Sequence, residues 1–306
     1  MRMKPALFGI ISFAVILIVL QLHLIDPAVY HIRSLFDATL SEEEVMLERW
    51  LSSDPTTLLQ SYAKYLREHP ERTKVCHGLL HQIGHEAVES LGWQRTMEIS
   101  DALCGGGFIH GAIEAHFGLL KTVLSPELVA EQIALACGDS SNEICYHGIG
   151  HGLMVLLEND DEQALRHCGS IDLPGRMDCH DGVFMHIFDA EETGVPKESP
   201  RRIEAAAFCG SVTEEEKLSC FFYLPRLFAQ SASMVQNAID LCELIEIGWQ
   251  RTTCAEGAGH MFLKYTLPDR EKAMYSCSLF SPSLRASCES GARSYQKLQE
   301  STTGML

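Results

Sequence analysis

No two of the cysteines form a C-x-x-C pair, so the ligand spacings of zinc ribbons, thioredoxin-like redox sites and haem attachment are missing. There is no N-x-S/T glycosylation acceptor either, because Asn142, Asn159 and Asn237 all lack a hydroxyl residue two positions on, which leans towards a bacterial periplasm. A G-x-S-x-G elbow, an H-E-x-x-H helix and a nucleotide fingerprint are likewise absent. Positive charge is scarce: 24 lysines and arginines stand against 41 acidic residues, for a net charge of -17. That balance excludes a nucleic-acid partner, which needs a basic surface to displace counterions from phosphates.

What the chain does have is cysteine. Its 12 cysteines are an even number and a large one, which fits an oxidising compartment and disulfides rather than metal thiolates. Arg2 and Lys4 precede an apolar run, Ala6 to Ile25, that is long enough to cross a bilayer as a helix. The positive residues before the run keep the N-terminus cytoplasmic and send the body outward. The run reads as an uncleaved signal anchor, since no clear small-x-small site follows it; cleavage is the alternative. The expected order is thus a cytoplasmic N-terminus (1–5), a transmembrane anchor (6–25), a linker with a short helix (26–53), a helical-repeat domain (54–299) and a flexible tail (300–306).

The cysteines expose an internal repeat. Five pairs lie close in sequence: Cys137 with Cys145, Cys168 with Cys179, Cys209 with Cys220, Cys242 with Cys254, and Cys277 with Cys288. Their second members recur at intervals of 34 or 41 residues, and the difference of two helical turns lets a longer helix keep one face inward. Before each first cysteine an amphipathic helix is expected, opened by Ser125-Pro126-Glu127 in one repeat and Leu267-Pro268-Asp269 in another. After each second cysteine the text is more apolar and reads as the inner helix of a hairpin. Gly138, Gly169 and Gly210 follow first cysteines, where a helix end commonly takes a left-handed residue. Cys76 and Cys104 are left over and are expected to form a sixth bridge. The fold class is therefore all-α: tandem disulfide-stapled helical hairpins forming an α/α superhelix or a toroid.

The phrase Ala136-Cys137 through Cys145-Tyr146-His147-Gly148 resembles the cysteine-rich Sel1-like and TPR-like helical-repeat proteins. The likeness covers roughly residues 71–295 and is one of architecture. It implies bridged helical hairpins of about this length. Here the glycine after the second cysteine comes one residue earlier than in that family, and histidine takes a prominent place.

Histidine carries the chemical signal. C-x-x-G-x-x-H appears as Cys104-Gly107-His110, Cys145-Gly148-His151 and Cys254-Gly257-His260, with a looser copy at Cys179-Gly182-His186 and a matching Ile-Gly-His phrase at His85. If inner helices line one concave surface, these side chains converge on it. His81 with His85, and His147 with His151, are spaced i, i+4 and share a helical face. The expected metal ligands are His81, His85, His110, His147, His151, His186 and His260, for zinc, copper, iron or nickel. Glu86 and Glu114 are the candidate general bases, and Glu256 is a further possible oxygen donor.

A plainer reading also accounts for the repetition: each histidine hydrogen-bonds the preceding turn of its hairpin and each glycine lets helices pack closely. It leaves the extra histidines His77, His81, His116, His147 and His180 unexplained. Gly92-Trp93-Gln94-Arg95-Thr96 recurs letter for letter as Gly248-Trp249-Gln250-Arg251-Thr252. The functional expectation is a membrane-anchored extracytoplasmic metal-binding protein, with a metal-dependent enzyme as its sharper form. The alternatives are a scaffold binding a small molecule, peptide, glycan or protein in the groove, and a metal-independent acid–base enzyme.

Overall fold

The computed structural model describes residues 55–120, 126–138, 143–188, 205–229, 231–267 and 269–303. The expected anchor and linker lie outside the described residues, and among the described residues no helix is long and apolar enough to cross a membrane.

Helices follow one another in pairs. The outer members are α1 (Pro55–Glu68), α3 (Trp93–Glu98), α5 (Pro126–Cys137), α7 (Asp161–Gly169), α9 (Ala205–Ser211), α11 (Met234–Leu244) and α13 (Arg270–Ser278). Their inner partners are α2 (Thr73–Leu91), α4 (Leu103–Leu119), α6 (Glu143–Leu156), α8 (Gly175–Phe188), α10 (Lys217–Tyr223, continued by a 3-10 turn at Leu224–Phe228), α12 (Gly248–Thr266) and α14 (Pro282–Thr303). All helix and no strand, the described residues have the expected fold class. Local chemistry sets the starts: Asp160 accepts from the Gln163 N–H at 3.0 Å to open α7, and Asp269 accepts from the Lys272 N–H at 2.9 Å to open α13. Pro126 and Pro282 stand at first helical positions, where no N–H is needed.

All six cysteine pairs form as expected, including Cys76 with Cys104. The other five bridges tie the end of an outer helix to the early turns of its inner partner. The short helices α7, α9, α10 and α13, of nine residues or fewer, are too short to stand alone, and each carries such a staple. The disulfides place this part of the chain in an oxidising, extracytoplasmic compartment.

Two expectations of detail are corrected. Gly138 has the left-handed backbone (φ +58°), but Gly169 and Gly210 remain inside α7 and α9 with ordinary helical turns. Left-handed residues gather instead at the start of α4, where Cys104, Gly105 and Gly106 all have positive φ. Helix α14 also runs on to Thr303, through the start of the expected tail.

Inner helices pack in sequence, α2 on α4, α4 on α6, α6 on α8, and so on to α12 on α14. The row then closes, because α14 packs against α4 and α12 touches α2. The helices form a ring. Phe108, Phe117, Phe184, Phe221, Phe262 and Phe280 are fully buried between the layers, each contributing roughly 1.5–3 kcal/mol of apolar burial. Both G-W-Q-R-T copies open a helix; Trp93 stacks on His116 and Trp249 meets Phe221 edge-on.

Glycine sets the spacing of the inner ring. A Cβ on Gly107 would collide with the carbonyl oxygen of His77, one on Gly182 with that of His147, and one on Gly257 with that of Phe222. At these three copies the repeated glycine is the point where neighbouring inner helices touch backbone to backbone, whereas Gly148 packs against the Ile113 and His110 side chains.

Candidate metal centre

Close approach of α2, α4, α6 and α8 brings their histidines together around one carboxylate. Glu114, on α4, is only 4% exposed. Its Oε1 lies 3.2 Å from His81 Nε2 and 3.5 Å from His151 Nδ1, and its Oε2 lies 3.2 Å from His85 Nε2. His186 Nδ1 is 3.9 Å from Oε1. Four donors held ~2.0–2.1 Å from a tetrahedral ion are necessarily about 3.3–3.4 Å apart. Three of the four separations at Glu114 match that edge length to within about 0.2 Å.

A second group adjoins the first. His110, His147 and His151 each offer a nitrogen within 4.8 Å of the others. His147 Nε2 is 3.2 Å from His151 Nε2. The fully buried His151 belongs to both groups, with Nδ1 towards Glu114 and Nε2 towards His147.

Hydrogen bonds fix which ring nitrogen is available. His110 Nε2 lies 3.2 Å from the Ile144 carbonyl, and a carbonyl only accepts, so the ring proton sits on Nε2 and the lone pair on Nδ1. His186 Nε2 donates to Asn159 Oδ1 at 3.1 Å, which leaves the lone pair on Nδ1, the atom facing Glu114. Buried and without a hydrogen-bond partner, His110 Nδ1 and His186 Nδ1 present acceptor atoms alone. Metal-ligating histidines characteristically spend their other N–H on such a carbonyl or amide oxygen.

Electrostatics agrees with ligation. Burial alone pushes the Glu114 carboxyl up, but hydrogen bonds from His81 and His85 and the neighbouring His81 and His186 charges outweigh it, holding the group down at about 2. It is therefore a carboxylate throughout the neutral range. Burial, reinforced by His81, lowers His110 to about 3, and burial first of all holds His147 and His151 well below their ordinary value. His186 is lowered too, mainly by burial. His110, His147, His151 and His186 are thus biased to the neutral form beside an ionised carboxylate, the protonation states that a metal ion requires.

The inner helices line a half-open cavity of about 190 Å³. His77, His110 and His147 line it from α2, α4 and α6, and Arg226, His260 and Lys264 from the 3-10 turn after α10 and from α12. Arg226 and Lys264 are buried cations, 4% and 6% exposed. Arg226 also sits over the Tyr223 ring at 5.0 Å.

Of the expected ligands, His81, His85, His110, His147, His151 and His186 converge. His260 does not join them: its Nδ1 is 3.5 Å from an Arg226 nitrogen and its ring is 4.5 Å from Tyr295, so it serves the cavity wall. Glu86 is exposed, and neither it nor Glu256 belongs to any of the three donor groups among the described residues. Glu256 accepts from the Ser290 hydroxyl at 3.2 Å. The plainer account of the histidines describes one nitrogen of His77 and of His110, which bond the Cys104 and Ile144 carbonyls, but not the nitrogens facing inward. His116 lies apart, stacked on Trp93 and bonded to Gln132.

Sequence reasoning missed Asn159 and Lys264 as parts of the site; Arg226 stands six residues after Cys220, at the level the histidines take in other repeats. Asn159 carried one signal, the Glu158-Asn159-Asp160 break between helices, where Asn159 takes a left-handed backbone (φ +66°) that asparagine tolerates. Comparison of the chain with protein-family models, with curated proteins and with solved structures found no match in any of the three.

Proposed function

We propose that this protein is a membrane-anchored extracytoplasmic metalloprotein that holds a transition-metal ion at Glu114, with His81, His85, His151 and His186 as nitrogen donors. The ion serves a small molecule in the adjoining cavity, making the protein a metal-dependent enzyme. One observation carries the reading: imidazole nitrogens from three inner helices, α2, α6 and α8, surround the buried carboxylate of a fourth, α4, at the spacing of a coordination shell. Nitrogen and carboxylate donors suit zinc, copper, iron or nickel. Anchoring through residues 6–25 places this centre outside the cytoplasm.

Within this reading Glu114 is a ligand rather than a general base. A carboxyl held at about 2 is a weak proton acceptor at neutral pH, and its oxygens already face His81, His85 and His151. The same reasoning counts against metal-free acid–base catalysis by His110, which lies at about 3, far from a useful operating range. A bound ion would supply Lewis acidity or an activated water. The chain's own part is to orient His186 through Asn159 and to hold the reactant beside the ion. A ring around a cavity of about 190 Å³ favours a small molecule over a peptide or protein partner.

Elemental analysis tests this directly on the full chain, purified with its disulfides intact and without a histidine tag. Stoichiometric metal that disappears in Glu114→Ala supports the centre. No bound metal after dialysis against zinc, copper, iron and nickel would remove it.

A further inference from the structure

Met185 is the one soft donor in this neighbourhood that the Glu114 centre does not use. It lies on α8, is 4% exposed, and lines the central cavity together with His110 and His147. Its Sδ is 3.3 Å from His147 Nε2, the same nitrogen that lies 3.2 Å from His151 Nε2. A neutral imidazole has a single N–H, so Nε2 of His147 cannot donate to both neighbours, and a thioether is a poor acceptor in any case. A thioether and an imidazole nitrogen at that distance are more naturally two donors facing a shared centre.

We propose a second metal position, selective for copper, formed by His110, His147, His151 and Met185 on the cavity wall and sharing the His151 ring with the Glu114 centre. It rests on the reading above only through that shared ring. Three imidazoles and a thioether, with no carboxylate, make a softer set than the one around Glu114, and thioether sulfur is a ligand that favours copper(I) over zinc. His110 is already oriented for the role, because its Nε2–H is spent on the Ile144 carbonyl. The opposite nitrogens of His151 face the two positions, so filling both requires the ring to give up its last proton to solvent. The copper position would lie on the cavity wall, which His110, His147 and Met185 line, beside the Glu114 position.

The test uses the full chain, stripped of metal, and two probes: copper(I) in competition with a chromogenic chelator under anaerobic conditions, and zinc(II) by equilibrium dialysis. One copper(I) per chain with sulfur in its X-ray absorption shell is expected. Met185→Leu removes the sulfur at nearly constant volume, so the core should survive. It should weaken copper(I) binding at least tenfold and abolish the sulfur scatterer, with zinc binding unchanged. Glu114→Gln should do the reverse, weakening zinc and sparing copper(I). Copper(I) binding that is unaffected by Met185→Leu, or that shows no sulfur scatterer in the unaltered chain, would overturn the copper site while leaving the Glu114 centre standing. Failure of zinc to bind with copper(I) retained would instead remove the Glu114 centre alone.

Discussion

Gly111 lies against the carbonyl oxygen of His81 so closely that a single added methyl would collide with it. This contact holds α2 and α4 at backbone distance, and three residues further along α4 it delivers Glu114 to within 3.2 Å of the His81 ring. Packing and chemistry thus depend on the same glycine.

Gly111→Ala is expected to cost ~1–3 kcal/mol, as overpacking of a tight interface does. The melting temperature of the metal-free chain should fall and metal affinity should fall with it. Gly78→Ala is the control: it lies on the same pair of helices, meets nothing within 4 Å, and should gain up to about 1 kcal/mol from helix propensity. Equal melting temperatures for the two variants would argue against the backbone contact.

Replacing Glu114 by glutamine keeps the shape and removes the charge. Zinc affinity should drop by more than about 100-fold, beyond the 10–100-fold typical of losing a supporting hydrogen bond. Competition with a chelator measures it. An unchanged dissociation constant would take Glu114 out of the coordination shell.

Asn159 acts at one remove, by holding the Nε2–H of His186. Asn159→Gly deletes the accepting oxygen yet keeps the left-handed backbone that alanine would strain. Metal affinity should fall about 10-fold or more with little change in melting temperature. A large loss of stability with normal affinity would make Asn159 a helix terminator and nothing else.

Acid should destabilise the metal-free fold. Burial lowers His110 in the fold from 6.5 to about 3, so the unfolded chain takes up that proton first, and the stability present above pH 6.5 drains away as pH falls towards 3. Between pH 6.5 and pH 5 that is roughly 2 kcal/mol for one such buried histidine. His147 and His151 act in the same direction. Asp178 and Asp181 oppose them, since burial raises these carboxyls to about 6 and about 7, but they are fewer. Glu114, lowered from 4.5 to about 2, adds its own loss below pH 4.5. Calorimetry in chelator should therefore show the melting temperature falling from pH 7 to pH 5; a flat or rising profile would mean the histidines are hydrated and charged.

Much of the site was legible because its spacing is periodic. A histidine six residues after three of the repeated cysteines must recur at one level of the inner helices, and His110, His151 and the i, i+4 partners His81 and His147 could be named from that spacing. His260 obeys the same spacing and yet stands apart, because Arg226 occupies the space beside it. Glu86 and Glu114 looked alike in sequence, each close to a histidine. Only the helix faces separate them, one turned to solvent and the other buried among four rings.

Cysteine pairing, helical hairpins and an oxidising environment follow from the sequence by itself, because bridges between near neighbours and helix starts are local matters of spacing and capping. Ring closure, the choice of Glu114 as the central carboxylate, and the use of His151 by two donor groups do not. Each depends on how far inner helices from distant repeats approach and rotate, which is set by glycine contacts such as Gly182 on His147. Backbone-to-backbone packing is a property of the assembled ring, and no single repeat contains it.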